Sequence, residues 1–333
     1  MRILVTGGMG EIGRPTVRWL LERGHEVRVL DLNVDDPIPG AECRKVDITE
    51  FDALPPQMAG IEGIIHLAAI RHPGLAPSPA LFEVNVGGTF NVLRAAADAG
   101  VQRAVCASSI NALGYNFGIK YPEDQIRYFP IDEDHPTYTT DAYSFSKQAI
   151  ESVGRYFWRR EELPSLFVRF PGVYDLDDPD AILTEAVVGC RRQTTELMAM
   201  DERARTQRAR EIVARFKQKG RAHVWEEGFD LSFPDATIMF GYSNFWTSLD
   251  VRDAARTLEM GLTADYEGSH ATYVTDTHNF VGLPSRDLAS VFYPEVTEWT
   301  KPVTGTEALV STDRIRVLIG FEPKYPFEMY GVD

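Results

Sequence analysis

"TGGMGEIG", residues 6–13, places four glycines in eight residues directly after the first apolar run, "RILVT" at 2–6. Glycine costs backbone entropy, so such a cluster needs a geometric reason. Read as G-x-G-x-x-G, Gly8, Gly10 and Gly13 fit the dinucleotide fingerprint; read as T-G-x-x-G-x-x-G, Thr6, Gly7, Gly10 and Gly13 fit a variant of it. Either way the loop leaves a strand and opens a helix. Glycines there let the backbone turn sharply and approach a pyrophosphate, whose charge sits on the helix N-terminus. Asp31 stands 18 residues beyond Gly13, at the end of the second expected strand. A carboxylate at that point accepts hydrogen bonds from the adenosine ribose hydroxyls and repels a 2′-phosphate, so the expected cofactor is NAD rather than NADP.

Outward from the loop, strand and helix signals alternate. "IGRPTVRWLLERG" (12–24) has apolar residues at helical spacing, and 79–100 and 140–160 read as further helices. "EVRVLD" (26–31), "CRKVD" (43–47), "GIIHLAA" (63–69), "RAVCAS" (103–108) and "SLFVRF" (165–170) read as short, nearly all-apolar strands. The alternation predicts an α/β protein, a doubly wound parallel-sheet Rossmann fold. After Phe170 the pattern changes. Residues 179–219 read as long helical sequence, "TIMFG" (237–241) and "HATYVTD" (270–276) as strands, and "SRDLASVFY" (285–293) and "STDRIRVLIGF" (311–321) as short helices. The expected organisation is an NAD-binding domain over 1–174 plus 237–277, with a smaller, partly helical substrate lobe from 175–236 plus 278–333.

Bulk properties exclude several function classes. A net charge of −15 argues against nucleic acid as a main partner, because phosphates need a basic surface. There is no run of about 18 apolar residues, so no membrane span is expected. Cys43, Cys106 and Cys190 are scattered, with no CxxC, and "MRILVTGG" turns to glycine too soon for a secretory leader; a reducing cytoplasm is the expectation. The seven His are dispersed without HExxH, and no GxSxG is present, so neither a metal site nor a serine hydrolase is expected.

"YSFSK" puts Tyr143 and Lys147 four apart on an expected helix, hence on one face. A phenol serves as general acid or base when a nearby ammonium and a nicotinamide cation stabilise its phenolate. "ASSINALG" follows the fifth strand, and Ser109 there can donate a hydrogen bond to a reacting oxygen.

With these motifs in order, the chain resembles an extended short-chain dehydrogenase/reductase of the NAD-dependent epimerase/dehydratase family. "TGGMGEIG", Asp31, "VDI" (46–48), "HLAAI" (66–70), "NVGGTFNVL" (85–93), "SSINALG" (108–114) and "YSFSK" carry the likeness. "VRFPGVY" (168–174), "SLDVRDAA" (248–255) and "TDRIRVLIGFEP" (312–323) resemble later motifs of the family; about 175–236 does not. The resemblance implies a Ser109–Tyr143–Lys147 triad, with Lys147 also holding the nicotinamide ribose. It implies cofactor contacts at Gly7, Gly10, Glu11, Ile12 and Gly13 of the loop, at Asp31, and at Asp47 and Ile48 near adenine. Leu67, Ala68, Ala69 and Asn85 complete the cofactor set. Helices 79–100 and 140–160 resemble those that form a four-helix homodimer interface.

Two departures bear on the substrate. Sugar-nucleotide members carry an Asn before "VYG"; here Gly172 stands in its place, and "VYD" follows. They also carry an Arg before the "HVxD"-like segment; here "FWTSLDVRD" puts Trp246 there, and an indole cannot grip phosphate as a guanidinium does. The pair resembles members that oxidise unactivated sugar acids, such as uronate dehydrogenases. Arg71 and His72 after "HLAA", and Asn111 after Ser109, are further candidate substrate contacts; Tyr115 and Phe117 read as lobe packing. The 191–221 segment holds ten Lys or Arg against four acids and reads first as a solvated helical face. The sequence therefore points to hydride transfer at a hydroxyl or keto carbon of a carbohydrate-like substrate. A nucleotide-sugar epimerase that keeps its NAD and a non-catalytic NAD-sensing regulator stay open as alternatives.

Overall fold

The structure, a computed structural model, describes residues 1–115, 125–175, 182–218 and 235–327. Phe117, Lys219 and Arg221 lie outside the described residues. The strands are β1 (Arg2–Thr6), β2 (Glu26–Asp31), β3 (Glu42–Lys45), β4 (Gly63–His66), β5 (Arg103–Ser109), β6 (Tyr128–Phe129), β7 (Ser165–Phe170), β8 (Gly172–Tyr174), β9 (Ser248–Asp250), β10 (Ser269–Tyr273) and β11 (Glu298–Trp299). Seven of them form one parallel sheet in the order β10-β7-β5-β4-β1-β2-β3, while β6 with β11 and β8 with β9 make short pairs. The order reverses direction between β1 and β4, which opens a crevice at the carboxyl ends of the strands.

The helices are α1 (Gly13–Glu22), α2 (Ser78–Phe82), α3 (Gly88–Asp98), α4 (Ala142–Glu161), α5 (Ile182–Met198), α6 (Glu202–Gln218), α7 (Asp235–Ser243), α8 (Val251–Thr263), α9 (Ser285–Phe292) and α10 (Asp313–Ile319). Alternation along the strands sends side chains to both sheet faces. Ile3 and Val5 of β1 and Leu166 and Val168 of β7 pack with Val17 and Leu20 of α1 and Leu258 of α8. Leu4, Cys106 and Phe167 point the other way, against Val92 and Leu93 of α3 and Ile150 and Phe157 of α4. Each such fully buried side chain contributes roughly 1.5–3 kcal/mol, which is why both faces must be covered.

The expected helix 79–100 is interrupted. A turn of π-helix over Glu83–Gly87 separates α2 from α3 and carries Asn85. The stretch 179–219 divides into α5 and α6. The expected strand at 237–241 is instead part of α7. Its residues are apolar on nearly every side, so no period betrays a helix. Gly241 packs so tightly that a Cβ there would lie 2.5 Å from the Cys190 sulfur. Ile238, Tyr242, Phe245 and Trp246 share a third core with Tyr115, Phe292 and Tyr293. Residues 238–246 therefore contribute to this third core, apart from the cores that cover the two faces of the seven-stranded sheet. Tyr115 packs in this third core, its hydroxyl 2.6 Å from that of Tyr242. No helix among the described residues is long and apolar enough to cross a membrane, and none of their His, Cys, Asp and Glu cluster to hold a metal.

Candidate active site

The crevice is a cavity of about 780 Å³ running along the strand ends. Its first wall is the glycine loop. Gly7 has φ +69°, and a Cβ there would come within 2.5 Å of the Ala68 nitrogen. A Cβ on Gly13 would meet the Gly7 oxygen at 2.2 Å, whereas one on Gly10 would meet that oxygen at an unstrained 3.4 Å. Gly7 and Gly13 thus close the turn, and Gly10 leaves the space before it open. No side chain caps α1, whose N-cap is Ile12; of its first amides Arg14 donates to the Gly10 carbonyl at 3.0 Å and Pro15 has none. Gly7, Gly10, Glu11, Ile12 and Gly13 all line the cavity.

Asp31 at the end of β2 lines it too, together with Asp35 and Asp36. One Asp31 oxygen accepts the Met9 amide at 3.0 Å, which joins the carboxylate to the loop. Asp47, Ile48, Leu67, Ala68 and Ala69 continue the wall. Asp47 is steadied by the Thr49 amide and hydroxyl at 2.9 and 2.8 Å. A helix N-terminus without a side-chain cap, a cradle that tolerates no Cβ at Gly7 or Gly13 and a carboxylate at the ribose end fit a dinucleotide.

Beneath the loop, His66 is held between two hydroxyls. Thr89 spends its only proton on the Asn85 carbonyl, so it accepts from His66 Nε2, and Thr6 donates to Nδ1 at 2.6 Å. Burial pushes the imidazole down to about 3, so it stays neutral. Asn85 does not face the cavity. Its amide exchanges hydrogen bonds with both backbone groups of Ile70, at 2.7 and 3.0 Å, and donates to Ser146 at 2.9 Å. It ties the loop after β4 to α4, and Asn85 is not among the residues that line the cavity, where a cofactor contact was expected.

Ser109, Tyr143 and Lys147 line the opposite end. Asp141 caps α4 by accepting the Ser144 amide at 2.8 Å, which sets the helix phase that brings Tyr143 and Lys147 to one face. Lys147 donates to the Ala107 carbonyl at 2.9 Å and stands 5.8 Å from the Tyr143 ring centre. Burial pushes the ammonium down to about 8, against the opposing influence of Cys106 and Glu151. Burial pushes the Tyr143 phenol up to about 12, and the nearby Ser109 hydroxyl pulls it back. Asp141 adds to the rise and Arg71 opposes it.

The remaining candidates divide. Arg71 lines the cavity and pairs with Glu11 across its mouth. His72 instead accepts the Gly74 amide at 3.0 Å and caps the turn Pro73–Leu75. Asn111 donates its backbone amide to Ser109 Oγ at 3.1 Å, and its side-chain oxygen is buried without a partner. Gly172 carries no side chain because Tyr174 fills the space: a Cβ there would lie 2.1 Å from the phenol oxygen. Trp246 is not a cleft residue. It is fully buried, edge-on to Phe292 and Tyr293. Consecutive left-handed residues, Phe245 at φ 56° and Trp246 at φ 52°, turn it inward. Among the basic residues of α6, Arg208 and Arg215 are paired with the buried Asp235.

Sequence reasoning missed Glu151 and Arg169, a buried pair behind the triad. The one signal was spacing: Glu151 lies one further helical repeat beyond Tyr143 and Lys147.

The family model described as "NAD dependent epimerase/dehydratase family" matches residues 3–194, and the chain belongs to that family. Its cofactor is NAD. The 3 beta-hydroxysteroid dehydrogenase/Delta 5-->4-isomerase of Mycobacterium tuberculosis is 42% identical over 116 residues, 32% of this chain and 31% of that protein. The chain thus spans about a third of the length of the first curated relatives it matches. The L-arabinose 1-dehydrogenase (NAD(P)(+)) of Haloferax volcanii is 31% identical over 184 residues, 53% of this chain and 69% of that one. Among solved structures, a short-chain dehydrogenase/reductase superfamily protein from Agrobacterium tumefaciens, with bound NAD, superposes at a TM-score of 0.65. It is 23% identical, over 99% of this chain and 94% of that one, and shares the fold.

Proposed function

We propose that the protein is an NAD-dependent dehydrogenase that oxidises a hydroxyl of a sugar or sugar acid. The observation that carries this reading is the convergence of Ser109, Tyr143 and Lys147 at one end of a cavity whose other end is the glycine loop and Asp31. NAD, when bound, supplies the hydride acceptor. Gly7, Gly10 and Gly13 would take its pyrophosphate, Asp31 its adenosine ribose and Lys147 its nicotinamide ribose. Tyr143 removes the proton from the substrate hydroxyl, and Ser109 orients that oxygen by hydrogen bonding. The Lys147 ammonium, fixed on the Ala107 carbonyl, lowers the cost of the phenolate.

A free sugar or sugar acid is preferred to a nucleotide sugar for two reasons. Position 172 has no room for a side chain beside Tyr174, and Trp246 is packed away in the third core, so neither offers a group to a substrate pyrophosphate. Ile110 and Asn111 after Ser109 supply no acid/base pair for dehydration. We also propose a homodimer through α2–α3 and α4, where Phe82, Phe90 and Phe145 are exposed.

The test is NADH formation by the purified protein with stoichiometric NAD, offered separate pools of sugars, sugar acids and nucleotide sugars. Net NADH with an unactivated sugar or sugar acid supports the dehydrogenase. No net NADH, with an altered nucleotide sugar recovered, replaces it by an epimerase that returns the hydride.

A further inference from the structure

Two consecutive residues of β5 each grip a different turn of α4. The Ala107 carbonyl accepts Lys147 at 2.9 Å and Ser108 donates to Glu151 Oε1 at 2.8 Å, while the next residue, Ser109, lines the cavity with Tyr143. Tyr143, Lys147 and Glu151 are spaced by four and share one helix face. Arg169 of β7, the register partner of Ser108, closes the set with a fork onto Glu151: Nε to Oε1 and Nη2 to Oε2, both at 2.8 Å. The guanidinium lies 4.9 Å from the Tyr273 ring of β10. Glu151 and Arg169 are 3% and 5% exposed, so the pair works in a dry interior.

We propose that Glu151 is a positioning residue of the reaction: clamped by Ser108 and Arg169, it sets where α4 stands along β5, and so where Tyr143 and Lys147 stand beside Ser109. The proposal rests on the reading above for the triad's role. Two physical points favour it over a purely structural bond. A bidentate carboxylate–guanidinium pair fixes distance and orientation together, which a methylene contact does not. A buried ion pair is also a poor device for stability, since apolar residues of the same volume often stabilise as well or better. What it supplies here is register between two elements that carry the triad.

The clamp also reaches Lys147 through charge. The groups that face this ammonium are Cys106 on β5, His66 on β4, and Tyr143 and Glu151 on α4. Glu151 is the carboxylate among them and favours the charged lysine. Arg169 beyond it is neutralised only while Glu151 is ionised. Loss of the carboxylate therefore moves the lysine toward its neutral form.

The experiment uses the full chain with Glu151→Gln, Glu151→Asp and the apolar double variant Glu151→Leu/Arg169→Met, which leaves no unpaired charge. Lys147 reactivity toward acetic anhydride, mapped by mass spectrometry across pH, reports its protonation without any turnover. In Glu151→Gln the midpoint of labelling is expected to fall by about one pH unit, with Glu151→Asp near wild type. With a substrate in hand, kcat is expected to fall at least about tenfold in Glu151→Gln and in the double variant, while KM for NAD changes less than about threefold. A Glu151→Gln midpoint equal to wild type, or a folded double variant with wild-type kcat, overturns the proposal. If the wild-type protein turns over nothing, the dehydrogenase reading fails, and the labelling still decides the clamp.

Discussion

The backbone amide of Met9 donates to the Asp31 carboxylate at 3.0 Å, so the glycine loop and the acid at the end of β2 form one hydrogen-bonded unit. The carboxylate keeps capacity for a ribose, since among the described residues its other oxygen accepts only the Asn33 amide, at a long 3.4 Å. Asp35 and Asp36 add negative charge to the same wall. The wild-type protein is expected to prefer NAD to NADP by about a hundredfold or more in kcat/KM. Asp31→Asn keeps an acceptor for Met9 but drops the charge, and the preference is expected to shrink by about tenfold or more. Steady-state rates with both cofactors check this; an unchanged ratio removes Asp31 from the discrimination.

The two tight glycines and the open one are expected to fail differently. In Gly13→Ala the new methyl meets the Gly7 oxygen at 2.2 Å, so the loop must move, and a loss of about 2 kcal/mol or more of stability is expected. In Gly10→Ala the nearest atom is 3.4 Å away, so stability stays near wild type while the methyl enters the space meant for the cofactor. NAD affinity is expected to drop at least about tenfold there. Urea unfolding and NAD titration of the same two proteins separate the effects.

Tyr143→Phe removes the proton carrier and little volume. A fall in turnover of about a hundredfold to ten-thousandfold is expected, with NAD binding changed only slightly. Near wild-type turnover by this variant would remove Tyr143 from the chemistry.

His66 predicts a pH dependence of stability. Its ordinary value is 6.5 and burial pushes it down to about 3 in the folded protein. Below pH 6.5 the unfolded chain takes a proton that the folded one refuses, so stability is lost as pH falls from 6.5 toward 3. Urea midpoints across that range should decline, and the His66 ring resonances should stay those of a neutral imidazole down to about pH 3. A ring that titrates near 6.5 in the folded protein contradicts its sealed hydroxyl cage.

Phe82 and Phe145 stack at 5.5 Å on the outer face of α2 and α4, 36% and 49% exposed, and Phe90 nearby is 40% exposed. Sedimentation is expected to give a dimer for the wild type and a monomer for Phe145→Glu, because a carboxylate cannot be buried unpaired at such a face. A wild-type monomer at micromolar concentration would set the homodimer aside.

What the sequence alone determined about this protein is local and repetitive. The alternation of short apolar strands with amphipathic helices sufficed for the parallel sheet, because periods of 2 and 3.6 mark which side is buried. The glycine loop, Asp31, Ser109 and the Tyr143–Lys147 pair were legible because their spacing within a strand, loop or helix already implies their geometry. Only the tertiary structure decided the rest. The run 237–241 is apolar but for Thr237, so it carries no period, and its packing against Cys190 and Trp246 made it a helix. Trp246 went to the third core because two successive left-handed residues reverse the chain there, at non-glycine positions that advertise no turn. Asn85 became a brace and Glu151 a clamp because their partners, Ile70, Ser146, Ser108 and Arg169, mostly come from other elements. A buried polar group must find its hydrogen-bond partners wherever the fold supplies them, and which residues those are is set by contacts distant in the chain.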